Sequence, residues 1–101
     1  MKRVLCLCDA GEVRSVAMAK VLRERGHFAV AGKFENAFEH IGWMYNDDKT
    51  FIPIEEYIDA FDRILFLQEG GEHFIGRDEW GDIDNAELRQ RCIDKAIEVG
   101  L

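Results

Sequence analysis

Two short runs without a polar position constrain this chain more than anything else in it. Val4–Cys8 is apolar throughout, and so is Ile64–Leu67. A strand with one wet face alternates in polarity, whereas one with no polar position is covered on both faces, the pattern of parallel sheets. Helical spacing fills the intervals. Val16–Arg25 carries strong helix formers with Ala17, Val21 and Leu22 on one side, and Gly26 stands where such a helix stops. His27–Ala31 reads as a second strand. Phe34, Ala37, Phe38 and Ile41 predict a helix over Phe34–Met44. Pro53 is expected to open another, because Ile54, Tyr57, Ile58 and Phe61 follow at i, i+3, i+4 and i+7. Arg63–Leu67 is a buried strand. Gln68–Asn85 is rich in Gly and Asp and reads as loop, with a short strand near Phe74–Ile75. Asn85–Val99 is a closing helix that turns Leu88, Cys92, Ala96 and Ile97 inward. Strands alternating with helices predict an α/β chain: a single three-layer domain with a small parallel sheet of about four strands and helices on both faces.

A chain of 101 residues suits one such domain. Twenty acidic against 13 basic residues, a net charge of −7, argue against nucleic-acid partners and against anionic membranes, both of which call for positive potential. No apolar run approaches the roughly 20 residues of a membrane helix. Met1–Lys2–Arg3 is basic, but the apolar stretch behind it is only about five residues, short of a secretory leader. A cytoplasmic chain is expected, as a monomer or weak homodimer. The cysteines are Cys6, Cys8 and Cys92. An odd number, two of them on one buried run, predicts free thiols and raises the question of whether one is reactive. His27, His40 and His73 have no metal-ligand spacing, and neither metal nor cofactor is expected.

The informative stretch is Cys8–Asp9–Ala10–Gly11–Glu12–Val13–Arg14–Ser15. A cysteine closes the first strand, five residues turn, and Arg-Ser opens the first helix. Amides of a tight loop entering a helix form an anion nest, and the helix N-terminus adds positive partial charge. A thiol facing that nest is expected to ionise at neutral pH. Arg14 supplies a planar fork for two oxygens of a phosphate. Ser15, the only serine, is expected to donate to the thiolate and to cap the helix. Gly11 suits a mid-loop position of positive φ. These parts serve phosphoryl transfer through a phosphocysteine, for which an acid must also protonate the leaving oxygen.

Cys-x5-Arg-Ser between a first strand and a first helix resembles the low-molecular-weight protein tyrosine phosphatases, and more closely their short bacterial and phage-like relatives. The resemblance covers Lys2–Gly26 and, less closely, "FDRILFL" at Phe61–Leu67 and Asn85–Leu101. It implies a phosphotyrosine phosphatase I-like fold and a metal-independent hydrolase of phosphotyrosine or a related phosphomonoester. Its partner would be a phosphorylated protein or a small phosphate ester. Carried over by position, Cys8 is the nucleophile, Arg14 binds the transferred group, and Asp9, Ala10, Gly11, Glu12, Val13 and Ser15 line it. The family's acid is an aspartate on a late loop with an aromatic residue close behind. Asp78–Glu79–Trp80 fits that pattern, Asp82 and Asp84 are rivals, and Trp80 would wall the site, with Trp43 or Tyr45 as a second wall. The chain departs from the family at five positions. Gly11 replaces a mid-loop Asn, Val13 replaces a shielding Cys, Glu79 replaces the Pro after the acid, and Asp9 and Glu12 put negative charge in the loop.

"CDAGEVRS" also resembles the phosphocysteine loop of sugar phosphotransferase B components, although those carriers lack the arginine and need no late acid. Arsenate reductases share the loop but require resolving cysteines, and Gln68–Asn85 has none. A phosphate-binding module that has lost turnover is the remaining alternative. Cys8 as an ordinary core thiol, Arg14 as a surface residue and the late aspartates as plain turn residues are the bland readings of the same positions.

Overall fold

The computed structural model describes residues 1–9, 13–35, 40–45, 51–53, 58–77 and 80–101, with 33–35, 40–45, 51–53 and 58 described as backbone. Arg3–Cys8 is the first strand, β1, as expected. The first helix, α1, is Arg14–Glu24, and β2 is Phe28–Glu35. Strands β3 (His40–Tyr45), β4 (Phe51–Pro53) and β5 (Arg63–Phe66) follow, with a 3₁₀ turn at Ile58–Ala60 before β5. The closing helix, α2, is Ala86–Glu98. The strands form one sheet in the order β4-β3-β2-β1-β5. Its parallel core is β2-β1-β5, with Cys6 opposite Ala31 on one side and Leu65 on the other. The chain is therefore α/β, with a three-strand parallel core and two helices.

The structure departs from several expectations. Phe34–Met44 is not a helix where it is described: its ends lie in β2 and β3, which pair antiparallel, Phe34 with Ile41 and Ala31 with Tyr45. The helical spacing was carried across a hairpin. His40–Tyr45 holds Ile, Trp and Tyr, residues that fit a pleated surface, and pairing along β2 outweighs the local period. A bulge falls between Lys33 and Phe34, where the pairing skips Gly42. Pro53 ends β4 opposite Trp43, on an edge strand, a place where proline is tolerated. The interior of the helix expected to open there, residues 54–57, lies outside the described residues. The sheet is thus mixed, and Phe74–Ile75 is not a strand.

The two faces of β1 are covered differently. Val4, Cys6 and Cys8 point to one face of β1 and pack with Ala17, Met18, Val21 and Leu22 of α1 and Leu88, Cys92 and Ala96 of α2 in one buried cluster. Leu5 and Leu7 point to the other face, where Val30, Phe61, Ile64 and Phe66 meet them. Among the described residues both α-helices therefore lie on one face, and they touch each other. The continuous apolar run does mean burial on both sides, since Val4 to Leu7 are wholly inaccessible. Ile97, expected inward, is 62% exposed. Leu88, Cys92 and Ala96 form an i, i+4, i+8 stripe, and Ile97 sits one residue, about 100°, off it.

Both helices end alike. In α1 the Gly26 N–H bonds to the Arg23 carbonyl and the His27 N–H to the Leu22 carbonyl, with Gly26 at φ 92°. In α2 Gly100 and Leu101 repeat this on Ile97 and Ala96, with Gly100 at φ 80°. Each is a Schellman closure, for which glycine in the left-handed region is the low-strain choice. Asn85 caps α2, its side chain accepting from the Glu87 and Leu88 amides. Glu24–Arg89 and Lys20–Asp84 ion pairs tie α1 to α2 and to the turn before it. No helix among the described residues is long and apolar enough to cross a membrane.

Candidate active site

Strand β1 is the pivot of the sheet. From its carboxyl end the chain leaves through α1 to β2 on one side, while β5 lies on the other. Such a switch point opens a crevice beyond the strand ends, where α/β sheets bind ligands. Cys8 is the last residue of β1, and Leu67, just past β5, donates its N–H to the Leu7 carbonyl beside it. Strand geometry thus places Cys8 at the switch point, and the five-residue turn brings the start of α1 back over it.

Three of the expected residues meet there. The Ser15 amide donates to Cys8 Sγ at 3.4 Å, and the Ser15 hydroxyl and Sγ are hydrogen-bonded at 3.2 Å. Ser15 is fully buried, and Cys8 is 1% exposed. Ser15 does not cap α1, contrary to expectation. Val13 is the N-cap and gives no side-chain hydrogen bond, while Ser15 lies inside the first turn with its hydroxyl on the sulfur. The sequence offered one oxygen for two tasks, and the thiol has it.

Arg14 does not reach into solvent. It is 3% exposed although it opens a helix, where a cation opposes the helix dipole. Nη1 donates to the Gly76 carbonyl at 3.1 Å, and Nη2 to Asp9 Oδ2 at 3.3 Å. Nε, equally buried, has no partner among the described residues. The side-on edge of the guanidinium, formed by Nε and Nη2, therefore holds one carboxylate oxygen where it has room for two acceptors. The Asp9 carboxylate is itself 65% exposed. An arrangement of this kind can accept two oxygens of an anion, with Asp9 as the acceptor that gives way.

The other expected residues are placed as follows. Ala10, Gly11 and Glu12 lie outside the described residues, as do Asp78 and Glu79. Val13 is partly buried against the core. Asp82 Oδ1 accepts from the Asp84 N–H at 2.9 Å, a local turn, and Asp84 pairs with Lys20 of α1. Trp80 is partly buried against the core, with the Arg91 guanidinium 5.6 Å from its ring centre. Trp43 and Tyr45 lie on β3, which is described as backbone. Among the described residues no cluster of His, Cys, Asp and Glu could hold a metal ion. Cys6, Cys8 and Cys92 are free and buried. Burial pushes the Cys6 thiol far up and Cys92 up to about 12, so both are inert core thiols.

Two residues at this end of the sheet were not singled out from the sequence. Gly76 supplies the carbonyl that anchors Arg14; a lone glycine within "FIGRDEW" was its only signal. Gln68 is 4% exposed with Oε1 unpartnered among the described residues, and nothing but its position after β5 marks it. An open cleft of about 250 Å³ between residues 74–76 and α2 includes Gly76 and Arg91 in its walls but neither Cys8 nor Arg14.

No protein-family model matches the chain, and no curated protein or solved structure matches it either.

Proposed function

We propose that the chain is a protein tyrosine phosphatase-like hydrolase of phosphomonoesters that works through a phosphocysteine on Cys8. The observations that carry the reading are a buried Arg14 whose Nε has no partner among the described residues and, next to it in the chain, a Ser15 that holds the Cys8 sulfur. A buried guanidinium with an unpartnered Nε–H costs free energy unless an acceptor arrives, and a tetrahedral oxyanion offers two at the right spacing. The parallel core β2-β1-β5 with Cys8 at its switch point supports a phosphotyrosine phosphatase I-like domain, in which β3 and β4 are an addition that the resemblance does not imply.

In this scheme the Cys8 thiolate attacks phosphorus in line. The S–P bond forms, the P–O bond to the leaving group breaks, and an acid gives its proton to the departing oxygen. Ser15 donates to the sulfur, and Arg14 holds two equatorial oxygens. Water then attacks phosphorus, giving its proton back to the acid, and the S–P bond breaks to free phosphate and thiolate. Asp82 and Asp84 are engaged in a turn and an ion pair, so the reading assigns the acid to Asp78. The nucleophile is a side-chain sulfur and the clamp a guanidinium, so the scheme calls for no metal.

A second reading, a phosphate-binding module without turnover, is favoured by two features: Cys8 is almost inaccessible, and Asp9 occupies Nη2 of Arg14. Turnover of para-nitrophenyl phosphate in excess, with Cys8→Ser as control, separates the readings. Repeated turnover that is lost in Cys8→Ser and indifferent to EDTA is expected. A single stoichiometric burst identifies a phosphocarrier. Phosphate binding without release of nitrophenol identifies the module.

A further inference from the structure

We propose that Arg91, on α2, is a positioning residue for Arg14 and acts on it through the backbone at Gly76; the proposal rests on the reading of Arg14 as the oxyanion clamp. Arg14 Nη1 donates to the Gly76 carbonyl at 3.1 Å, and Arg91 Nη1 donates to the preceding carbonyl, of Ile75, at 3.2 Å. Two guanidiniums from two helices therefore hold consecutive peptide carbonyls. Arg91 is fixed on its other sides by the Trp80 ring and by Glu87, four residues back on the same helix, at 3.2 Å. Its position is thus determined by three independent contacts, whereas residues 74–76 belong to no helix or strand and are held besides by the buried Ile75 side chain and the Phe74 amide on the Gly71 carbonyl.

The strap between the two arginines has no slack. Gly76 has φ 116°, a region that disfavours side chains, and a Cβ there would lie 2.8 Å from Arg91 Nη1 and 3.0 Å from Trp80 Cη2. The glycine is what lets Arg91 and Trp80 press against the backbone at the residue whose carbonyl anchors Arg14. This anchor decides which edge of Arg14 remains for an anion. With Nη1 on Gly76, the Nε–Nη2 edge is the one left over. If the Gly76 carbonyl shifts, the buried fork turns with it, and the two-point match to a tetrahedral anion is lost. Misplacement of a clamp by about 1 Å costs on the order of a hundredfold in rate when the geometry is reaction-competent.

The test compares Arg91→Met, Arg91→Lys and Gly76→Ala with the wild type, and uses Glu98→Gln, which removes an exposed ion pair with Lys95 on the same helix, as the control. Lysine keeps the charge near Trp80 and Glu87 but cannot reproduce the planar fork that reaches Ile75 at the same time. Titration with inorganic phosphate is expected to show about tenfold weaker binding in Met, Lys and Ala variants alike and no change in Glu98→Gln. Turnover of para-nitrophenyl phosphate should fall further than binding does, so that kcat drops as well as KM rising. The Arg14 Nε–H signal in nitrogen-15 spectra, identified by its loss in Arg14→Lys, should exchange with solvent at least tenfold faster in the Arg91 variants. Wild-type affinity in Arg91→Lys with loss only in Arg91→Met would reduce the effect to charge and overturn the proposal. Unchanged phosphate affinity in both would do the same. Should the wild type bind phosphate without turnover, the hydrolase reading fails while the titration still decides the role of Arg91. Should it bind no phosphate, the clamp reading fails, and an unaltered Nε–H exchange rate in the Arg91 variants overturns the positioning as well.

Discussion

On the proposed reading, Asp9 and an incoming phosphate would compete for the same nitrogen of Arg14, and the competition has a size. The carboxylate oxygen lies 3.3 Å from Nη2. At that separation two unit charges interact by about 5 kcal/mol at an effective dielectric of 20 and by about 1.3 kcal/mol in water. The carboxylate is 65% exposed, so the watery limit governs it even though the guanidinium is buried. Replacing Asp9 with Asn removes the competing charge, keeps the shape, and should be worth about 1 kcal/mol to a bound anion, which is about fivefold in affinity. The assay is calorimetric titration with inorganic phosphate at fixed ionic strength, since screening would otherwise blur a one-charge effect. Glu98→Gln, which lowers the net negative charge equally at an exposed site on α2, separates local competition from overall charge. The Asn variant should also melt lower than the wild type without phosphate, because Arg14 has lost a partner, and regain most of that loss at saturation. Phosphate affinity that is equal or weaker in Asp9→Asn would refute the reasoning, because the Arg14 edge would then not be where the anion goes.

Two further expectations concern the scaffold. Asn85→Ala leaves the Glu87 and Leu88 amides without their cap and should cost about 1 kcal/mol, seen as a drop of about 4–8 °C in Tm by circular dichroism; an unchanged Tm would contradict the cap. Cys6 and Cys92 hold their protons in the fold because burial raises both thiols above their ordinary value of 9.0, Cys92 to about 12. The unfolded chain ionises first, so stability is full below about pH 9 and falls as pH rises from there, by about 1.4 kcal/mol per pH unit for each thiol. Urea midpoints at pH 8, 9 and 10 check this: the decline should be shallower in Cys92→Ala, and an equal decline in that variant would refute it.

The parts of this fold that were legible in the sequence are those where a single pattern has a single structural solution. Five apolar residues in a row could only be a strand covered on both faces, and Arg3–Cys8 is that strand. Gly26 marks the end of α1 because the closing turn needs a left-handed residue, and Leu88, Cys92 and Ala96 mark the inner side of α2. Where two solutions share a pattern, the sequence does not separate them. Apolar residues three and four apart in Phe34–Ile41 fit a helix, yet Phe34 lies in β2 and Ile41 in β3, two strands that pair with each other, and a local period does not display that pairing. Pro53 has a fixed φ that suits a helix start and an edge strand equally, and it ends β4 beside β3. The site divides in the same way. The meeting of Cys8 and Ser15 was legible from spacing alone because a strand end and a helix start bring the two together. The Gly76 carbonyl on Arg14 and the Ile75 carbonyl on Arg91 were not, because a carbonyl is a group that every residue has and no sequence displays.

Arg14 also explains why the charges at this end of the sheet are arranged as they are. Its position is unfavourable twice over: it is a cation at a helix N-terminus, and it is nearly excluded from water. A residue serving only the fold would be better as an apolar side chain there, since a buried ion rarely repays its desolvation. Asp9 stands at the fork from the solvent side, among the described residues on one nitrogen only, with most of its carboxylate exposed. That makes it a weak and removable partner rather than a permanent one. A permanent structural pair would be expected to use both carboxylate oxygens on both nitrogens of the edge and to be buried with them. The acidic residue inside the loop, which from sequence alone argued against an anion site, thus acts on this reading as the stand-in that keeps a buried cation satisfied until a better anion displaces it.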